Sequence, residues 1–416
     1  MSVIRSMLAL VITLFAIGSA NGAEPTLPAS GALQKCVAAV AAKSDFSGII
    51  LIARPDGTIS HVQGLMSGPG SSAISSSTQF NLGSAGKMFT AVAVAQLADA
   101  KKIDLDDPVG HYVSGLTAEA GAVTIRQLLT HSSGLGNFFT PDNLAQLQKA
   151  RSLSDLKPLV TDEKPAFLPG SQFQYSNTGF LLLGLMIERV SDQSYGDYLK
   201  QHIFVPAGMG ASGLLPGGPS KRAVGMTNMP NMEAPVGVMT GPSASPDRRR
   251  QRPPSDAPDG LFRPPPGPLR PAVEAALTGN SAGGGYSSAP DLQRFFSALL
   301  AGKLTSNAMR DLLLSPQIVA IPAKDGRPAR SYGLGFGVGA YSGHRWTGHN
   351  GGTLGVNVET MTFPDDQTTM IIMANRDPPN ATALMRQILS LLFDKAACER
   401  LSDNEDRSGS PVKTCL

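Results

Sequence analysis

Charge is scarce in this chain. Only 16% of its 416 residues are Asp, Glu, Lys or Arg, and 35 basic residues nearly cancel 32 acidic ones, for a formal net charge of +3. A nucleic-acid binder concentrates far more positive charge, so no nucleic-acid partner is expected. Cysteine is rarer still. Cys36, Cys398 and Cys415 are all there is, none lies in a CxxC pair, and a cysteine zinc cluster is disfavoured. No HExxH occurs, and His344 and His349 stand five apart, so a zinc-enzyme pattern is missing too and no metal site is expected. The apolar run near the start, Leu8 to Ile17, is shorter than the ~20 residues needed to span a bilayer, and no second long apolar stretch exists, so stable membrane insertion is not expected.

What is present is apolar and turn-rich. Hydrophobic residues make up 42%, enough for a large core in one big domain or in two that share a cleft. Glycine and proline number 45 and 32, which predicts many turns and a biased insert. Residues 1–23 carry Arg5, an apolar run from Leu8 to Ile17, and small residues up to Ala23. That layout reads as a secretory signal cleaved after Ala20 or Ala23, for a periplasmic or secreted protein. Export permits disulfides. Cys36 falls in an expected helix, Ala32–Lys43, and Cys398 ends another, Ala381–Cys398, so a Cys36–Cys398 bridge would tie the chain ends together if these helices pack side by side. Cys415 sits in a polar tail, 402–416, as the odd one out.

The order of elements suggests the architecture. Ser47–Ala53 and Thr58–Leu65, separated by Arg54-Pro55-Asp56-Gly57, read as a β-hairpin, and a Ser/Gly loop, Ser67–Ser77, follows. Lys87–Lys101 is alanine-rich and helical, and helical signals recur at Thr124–Thr130, Leu144–Ala150 and Thr178–Val190. Gly241–Pro271 holds RRRQR and PPP and reads as a Pro/Arg-rich flexible insert. After a helix at Asp291–Leu300, strands are expected at Tyr332–Gly339, Ser342–Thr347, Gly355–Phe363 and Thr368–Ala374. The expected fold is α/β (α+β): one antiparallel sheet built from both chain ends, about 31–80 and 280–398, with a mostly helical part, about 84–240, inserted between. A cleft between the two parts is the natural ligand site.

Three patterns could carry chemistry. In Gly83-Ser84-Ala85-Gly86-Lys87, Ser84 and Lys87 lie three apart where a helix begins, hence on one face. A serine hydroxyl needs a nearby base to act as nucleophile, and a lysine can be that base or hold another group deprotonated. The second pattern is Tyr175-Ser176-Asn177. A tyrosine beside an ammonium is expected to have its pKa lowered from ~10 toward working pH. The third is Gly348-His349-Asn350-Gly351-Gly352-Thr353, on or beside a strand, where glycines admit substrate backbone and a free N–H could face an oxyanion.

Taken in this order, the three patterns resemble the class C β-lactamase-like serine hydrolases, a group of class C β-lactamases, D-alanyl carboxypeptidases, D-aminopeptidases and family VIII carboxylesterases. Ile125–Leu135 (IRQLLTHSSGL), Phe173–Leu182 (FQYSNTGFLL) and Ala282–Phe295 (AGGGYSSAPDLQRF) strengthen the resemblance, which runs from about Ser47 to Leu392, the insert excluded. It implies a β-lactamase/transpeptidase-like fold over residues 24–401 and an acyl-transfer mechanism without a cofactor. Ser84 would be the nucleophile, Lys87 its helical partner, and Tyr175 the general base that later protonates the leaving group. Asn177 would contact the acyl side, and His349, Asn350 and Gly351 would occupy the position of a Lys-Thr-Gly triplet. The N–H groups of Ser84 and Gly352 would form the oxyanion hole. Histidine in place of lysine, and asparagine in place of a hydroxyl residue, favour a small ester or peptide over a lactam as substrate.

Two other readings compete. Gly279-Asn280-Ser281-Ala282-Gly283 matches the G-x-S-x-G nucleophile elbow, with His344 and His349 downstream as bases, although Gly284 and Gly285 are poor material for the helix an elbow requires. A catalytically silent binding protein with the same cleft is the alternative of another class.

Overall fold

The computed structural model describes residues 30–215, 218, 221–229, 267–272, 279–324 and 328–394. The expected signal segment, the polar tail, and the insert apart from Gly267–Pro271 lie outside the described residues, as do Cys398 and Cys415.

An eight-stranded antiparallel sheet forms the centre. Its strands are β1 (Gly48–Arg54), β2 (Gly57–Gln63), β3 (Ile318–Ile321), β4 (Arg330–Tyr332), β5 (Gly337–Tyr341), β6 (His344–Thr353), β7 (Val356–Phe363) and β8 (Thr368–Ala374). They run in the order β2-β1-β8-β7-β6-β5-β4-β3. The N-terminal hairpin is therefore stitched onto the last strand, with Ile49 opposite Met373 and Leu51 opposite Ile371. Ile49–Ala53 and Met370–Ala374 are apolar throughout because the sheet is covered on both faces. On β1, Ile49 and Leu51 enter one core while Ile50 and Ile52 enter the other, and on β8 Ile371 and Met373 part from Met370 and Ile372 in the same way. Side chains that alternate across a pleat leave no polar face to such a strand.

One face is covered by α1 (Ser30–Ala42) and α5 (Asn380–Phe393), through Leu33, Val37, Leu384 and Ile388. The two helices of the chain ends thus pack side by side, and Cys36 on α1 is buried and disulfide-bonded. The other face carries the helical part, including α2 (Lys87–Asp99), α3 (Asn177–Ser191) and α4 (Ala289–Leu300). α2 is buried on every side, in keeping with its alanine-rich sequence. The short helix Ile125–Leu129 begins with a capping box in which Thr124 and Gln127 bond each other's backbone N–H.

The expected single strand Tyr332–Gly339 is two strands. Between them Leu334 and Phe336 plunge into the core, Gly335 takes a left-handed backbone (φ +80), and Gly333 N–H closes the loop onto Phe336 O. An apolar residue at every second position imitates a strand here. The β3 edge was not anticipated.

Candidate active site

Ser84 owes its place to a sharp approach. Gly83 adopts φ +50, its N–H is held by Asn81 Oδ1 at 2.8 Å, and the 3-10 turn Gly83–Gly86 runs directly into α2 at Lys87. Ser84 is half-buried and Lys87 fully buried one turn further along the same face.

Burying an ammonium is costly unless it is hydrogen-bonded, and the cost pulls the Lys87 pKa well below the usual lysine value. Its Nζ donates to Asn177 Oδ1 at 2.7 Å and to the carbonyl of Ala282, and reaches Ser84 Oγ at 3.5 Å. These are three acceptors for an ammonium. A neutral amine keeps two of them and turns its lone pair to the Ser84 hydroxyl, so one geometry serves both protonation states.

Tyr175 ends an irregular segment, and Ser176, in an extended backbone, caps α3 by accepting from Gly179 N–H at 2.9 Å. Asn177 is the first residue of α3, and its Nδ2 donates to Asn137 Oδ1 at 2.9 Å. Lys87 Nζ lies 4.7 Å from the centroid of the Tyr175 ring, against its face. The Tyr175 hydroxyl is buried and makes no full hydrogen bond among the described residues. Its pKa is raised by burial, and the Ser84 hydroxyl draws it only partly back. The expected lowering by the lysine is thus reversed, because the cation sits over the ring and desolvation dominates.

The third wall is β6. A Cβ on Gly351 would stand 1.9 Å from the Leu82 carbonyl oxygen, so only glycine lets this strand touch the turn that holds Ser84. A Cβ built on Gly83 falls 2.8 Å from Gly352 N, which places that amide beside the turn holding Ser84. His349 is buried, with Nε2 2.8 Å from Tyr332 Oη and Nδ1 2.6 Å from Asn350 O, while Asn350 itself is exposed. Burial and the Lys87 charge push the His349 pKa down to about 3, so the imidazole is neutral at working pH.

Ser84, Lys87, Tyr175, Asn177 and the His349–Gly352 strand therefore meet in one place. Ser281 does not join them as a nucleophile. It is fully buried and packed against Gly184 of α3; its carbonyl accepts from Thr90 Oγ1 at 2.8 Å, and its hydroxyl has no partner among the described residues. The helix an elbow needs does not follow it directly: Gly283, Gly284 and Gly285 all take positive φ, and α4 begins only at Ala289. Sequence reasoning had not singled out Asn137, Tyr332, the Ala282 carbonyl or His131; only the IRQLLTHSSGL run gave notice of the last.

The family model Beta-lactamase matches residues 33–394, and the chain belongs to that family. It is 31% identical over 183 residues to "Penicillin-binding protein 4*" of Bacillus subtilis (strain 168), across 42% of this chain and 40% of that protein. It is 32% identical over 139 residues to "Protein flp" of Staphylococcus aureus (strain MW2), across 32% of this chain and 28% of that protein. These matches span less than half the length of either relative. Among solved structures, the penicillin binding protein from Bacillus halodurans superposes with a TM-score of 0.69 at 25% identity, covering 85% of this chain and 98% of the other. The D-amino acid amidase from Ochrobactrum anthropi SV3 has the same fold, with a TM-score of 0.67 at 19% identity, covering 88% and 99%.

Proposed function

We propose that the chain is an exported serine hydrolase that cleaves a small ester or amide through a Ser84 acyl-enzyme, of carboxylesterase or D-amino-acid peptidase type. The observation that carries this is Lys87: a buried amine with a lowered pKa, held by two carbonyl acceptors and facing the Ser84 hydroxyl. Neutral Lys87 takes the Ser84 proton as Oγ bonds to the substrate carbonyl carbon. The oxyanion is received by the N–H groups of Ser84 and Gly352. Tyr175, a phenol at rest, gives its proton to the leaving group and is reprotonated by Lys87, and water then releases the acyl group. Asn177 orients Lys87 through Oδ1 and offers the second N–H of its amide to the acyl side. No step calls for a cofactor.

The neutral His349 supports a substrate lacking a carboxylate beside the scissile bond, since the triplet position supplies no fixed positive charge. The penicillin-binding relatives support a second reading, a lactam-processing or penicillin-binding protein. Periplasmic or secreted location is supported by the N-terminal layout and by the disulfide at Cys36, which suits an oxidising compartment. N-terminal sequencing of the exported protein would check the cleavage after Ala20 or Ala23.

Fluorophosphonate labelling of the mature protein, followed by peptide mapping, tests the mechanism. An adduct on Ser84, lost in Ser84→Ala together with all turnover, is the expected result. A folded sample that takes no label would move the chain to the class of silent binding proteins. Parallel assays on p-nitrophenyl esters, D-amino-acid amides and nitrocefin then separate the substrate readings.

A further inference from the structure

His131 follows the short helix Ile125–Leu129 and adopts a left-handed backbone, φ +55. It grips the chain on both sides of Tyr175. The N–H of Gln174 donates to His131 O at 2.8 Å, and the N–H of Ser176 donates to His131 Nδ1 at 3.1 Å. Between these two bonds the imidazole lies against the phenol, with ring centroids 4.2 Å apart. Phe180 and Tyr332 close in on the same imidazole at 5.0 and 4.8 Å.

We propose that His131 is a positioning residue for the reaction, holding the Tyr175 hydroxyl at Ser84 by a clamp on the backbone before and after it. The inference rests on the role given to Tyr175 above. Tyr175 precedes α3 in an irregular segment outside the sheet, so no strand ladder or helix fixes it. A displacement of ~1 Å at a proton-transferring group costs about 10²-fold in rate, which gives such a clamp a kinetic purpose. Histidine suits the place on three counts. It is among the residues that tolerate a left-handed backbone, its ring face packs on the phenol, and Nδ1 can accept. Accepting at Nδ1 puts the proton of the neutral ring on Nε2, which has no partner among the described residues. Burial keeps the ring in that neutral form, so the Ser176 bond persists across working pH.

The test is hydrolysis of p-nitrophenyl acetate by His131→Asn and His131→Gln, each alone and combined with Tyr175→Phe. Asparagine tolerates φ > 0 and places an acceptor near the Nδ1 position, whereas the glutamine amide reaches toward the Nε2 position instead. His131→Asn is expected to keep kcat within about tenfold, and His131→Gln to lose about 10²-fold in kcat with KM within about threefold. In the Tyr175→Phe background the His131→Gln loss should shrink to less than about twofold, because the group it positions is gone. Equal losses in both backgrounds, or equal losses for Asn and Gln, would overturn the clamp in favour of a purely structural histidine. If His131→Gln does not fold, His131→Asn decides alone, and a fall in kcat beyond about tenfold counts against the clamp. A Tyr175→Phe enzyme with undiminished kcat would refute the role of the tyrosine itself, a separate result.

Discussion

The two faces of the central sheet each bury a titratable group, and they do so to opposite ends. On the helical face, Lys87 is surrounded by acceptors and opens toward a half-buried serine. On the terminal-helix face, Glu359 of β7 is buried against α5, where Thr382 Oγ1 donates to its Oε1 at 2.5 Å while the Thr382 N–H is taken by Asn357 Oδ1 at 3.1 Å. Burial drives both toward neutrality: Lys87 downward, and Glu359 up to about 7. The difference lies in what stands next to them. Lys87 faces the hydroxyl of Ser84, the proposed nucleophile, and Glu359 has a helix to anchor. Desolvation alone therefore does not make a catalytic group.

The largest effect that would sharpen this contrast is on turnover. Lys87→Met should lower kcat by ~10³-fold or more while leaving the melting temperature near wild type, since relief of the amine's desolvation is offset by the Asn177 and Ala282 oxygens losing their donor. Glu359→Gln should leave kcat unchanged, and a variant that lost activity would erase the distinction between the faces.

The next effect is on stability against pH, where the faces have opposite signs. Glu359 has a folded pKa raised from 4.5 to about 7, so its contribution is fully present below pH 4.5 and is lost as pH rises through 7. That loss amounts to about 3 kcal/mol, and urea unfolding of Glu359→Gln should show it removed. His349 works the other way. Its folded pKa is depressed from 6.5 to about 3, so the unfolded chain binds the proton first and stability falls as pH drops below 6.5. Between pH 6.5 and 5 this amounts to about 2 kcal/mol, which His349→Gln should abolish. Thr382→Val is the smallest change, about 1 kcal/mol at neutral pH, from the lost hydrogen bond that anchors α5 to β7.

Local signals carried much of the fold. Pro55-Asp56-Gly57 marks the hairpin, Thr124–Thr130 marks a short helix, and the Ser84–Lys87 spacing marks two side chains on one face where α2 begins. These are short-range properties, decided by backbone preference and periodicity. Tyr332–Gly339 misled because Leu334 and Phe336 alternate as a strand does, whereas the left-handed bend at Gly335 is settled by the core below. The Tyr175 pKa misled for a deeper reason: the spacing of charges along a chain says nothing of whether a cation meets a hydroxyl or a ring face. His131 lies more than forty residues from the tyrosine it packs on, so its contacts with Gln174, Tyr175 and Ser176 exist only once the fold has formed.

The strand order has a consequence for how the molecule comes to be. β1 finds its second neighbour only in β8, at the far end of the chain, so during synthesis the N-terminal hairpin has a single partner and an open edge. Contacts between such distant segments close late and slowly. Until residues 368–374 emerge, Ile49–Ile52 forms an apolar strand with nothing on one side, a template for pairing with a neighbouring chain. Folding of this protein is therefore completed from its C-terminus, and a truncation that removes β8 should leave an aggregating hairpin instead of a smaller working domain.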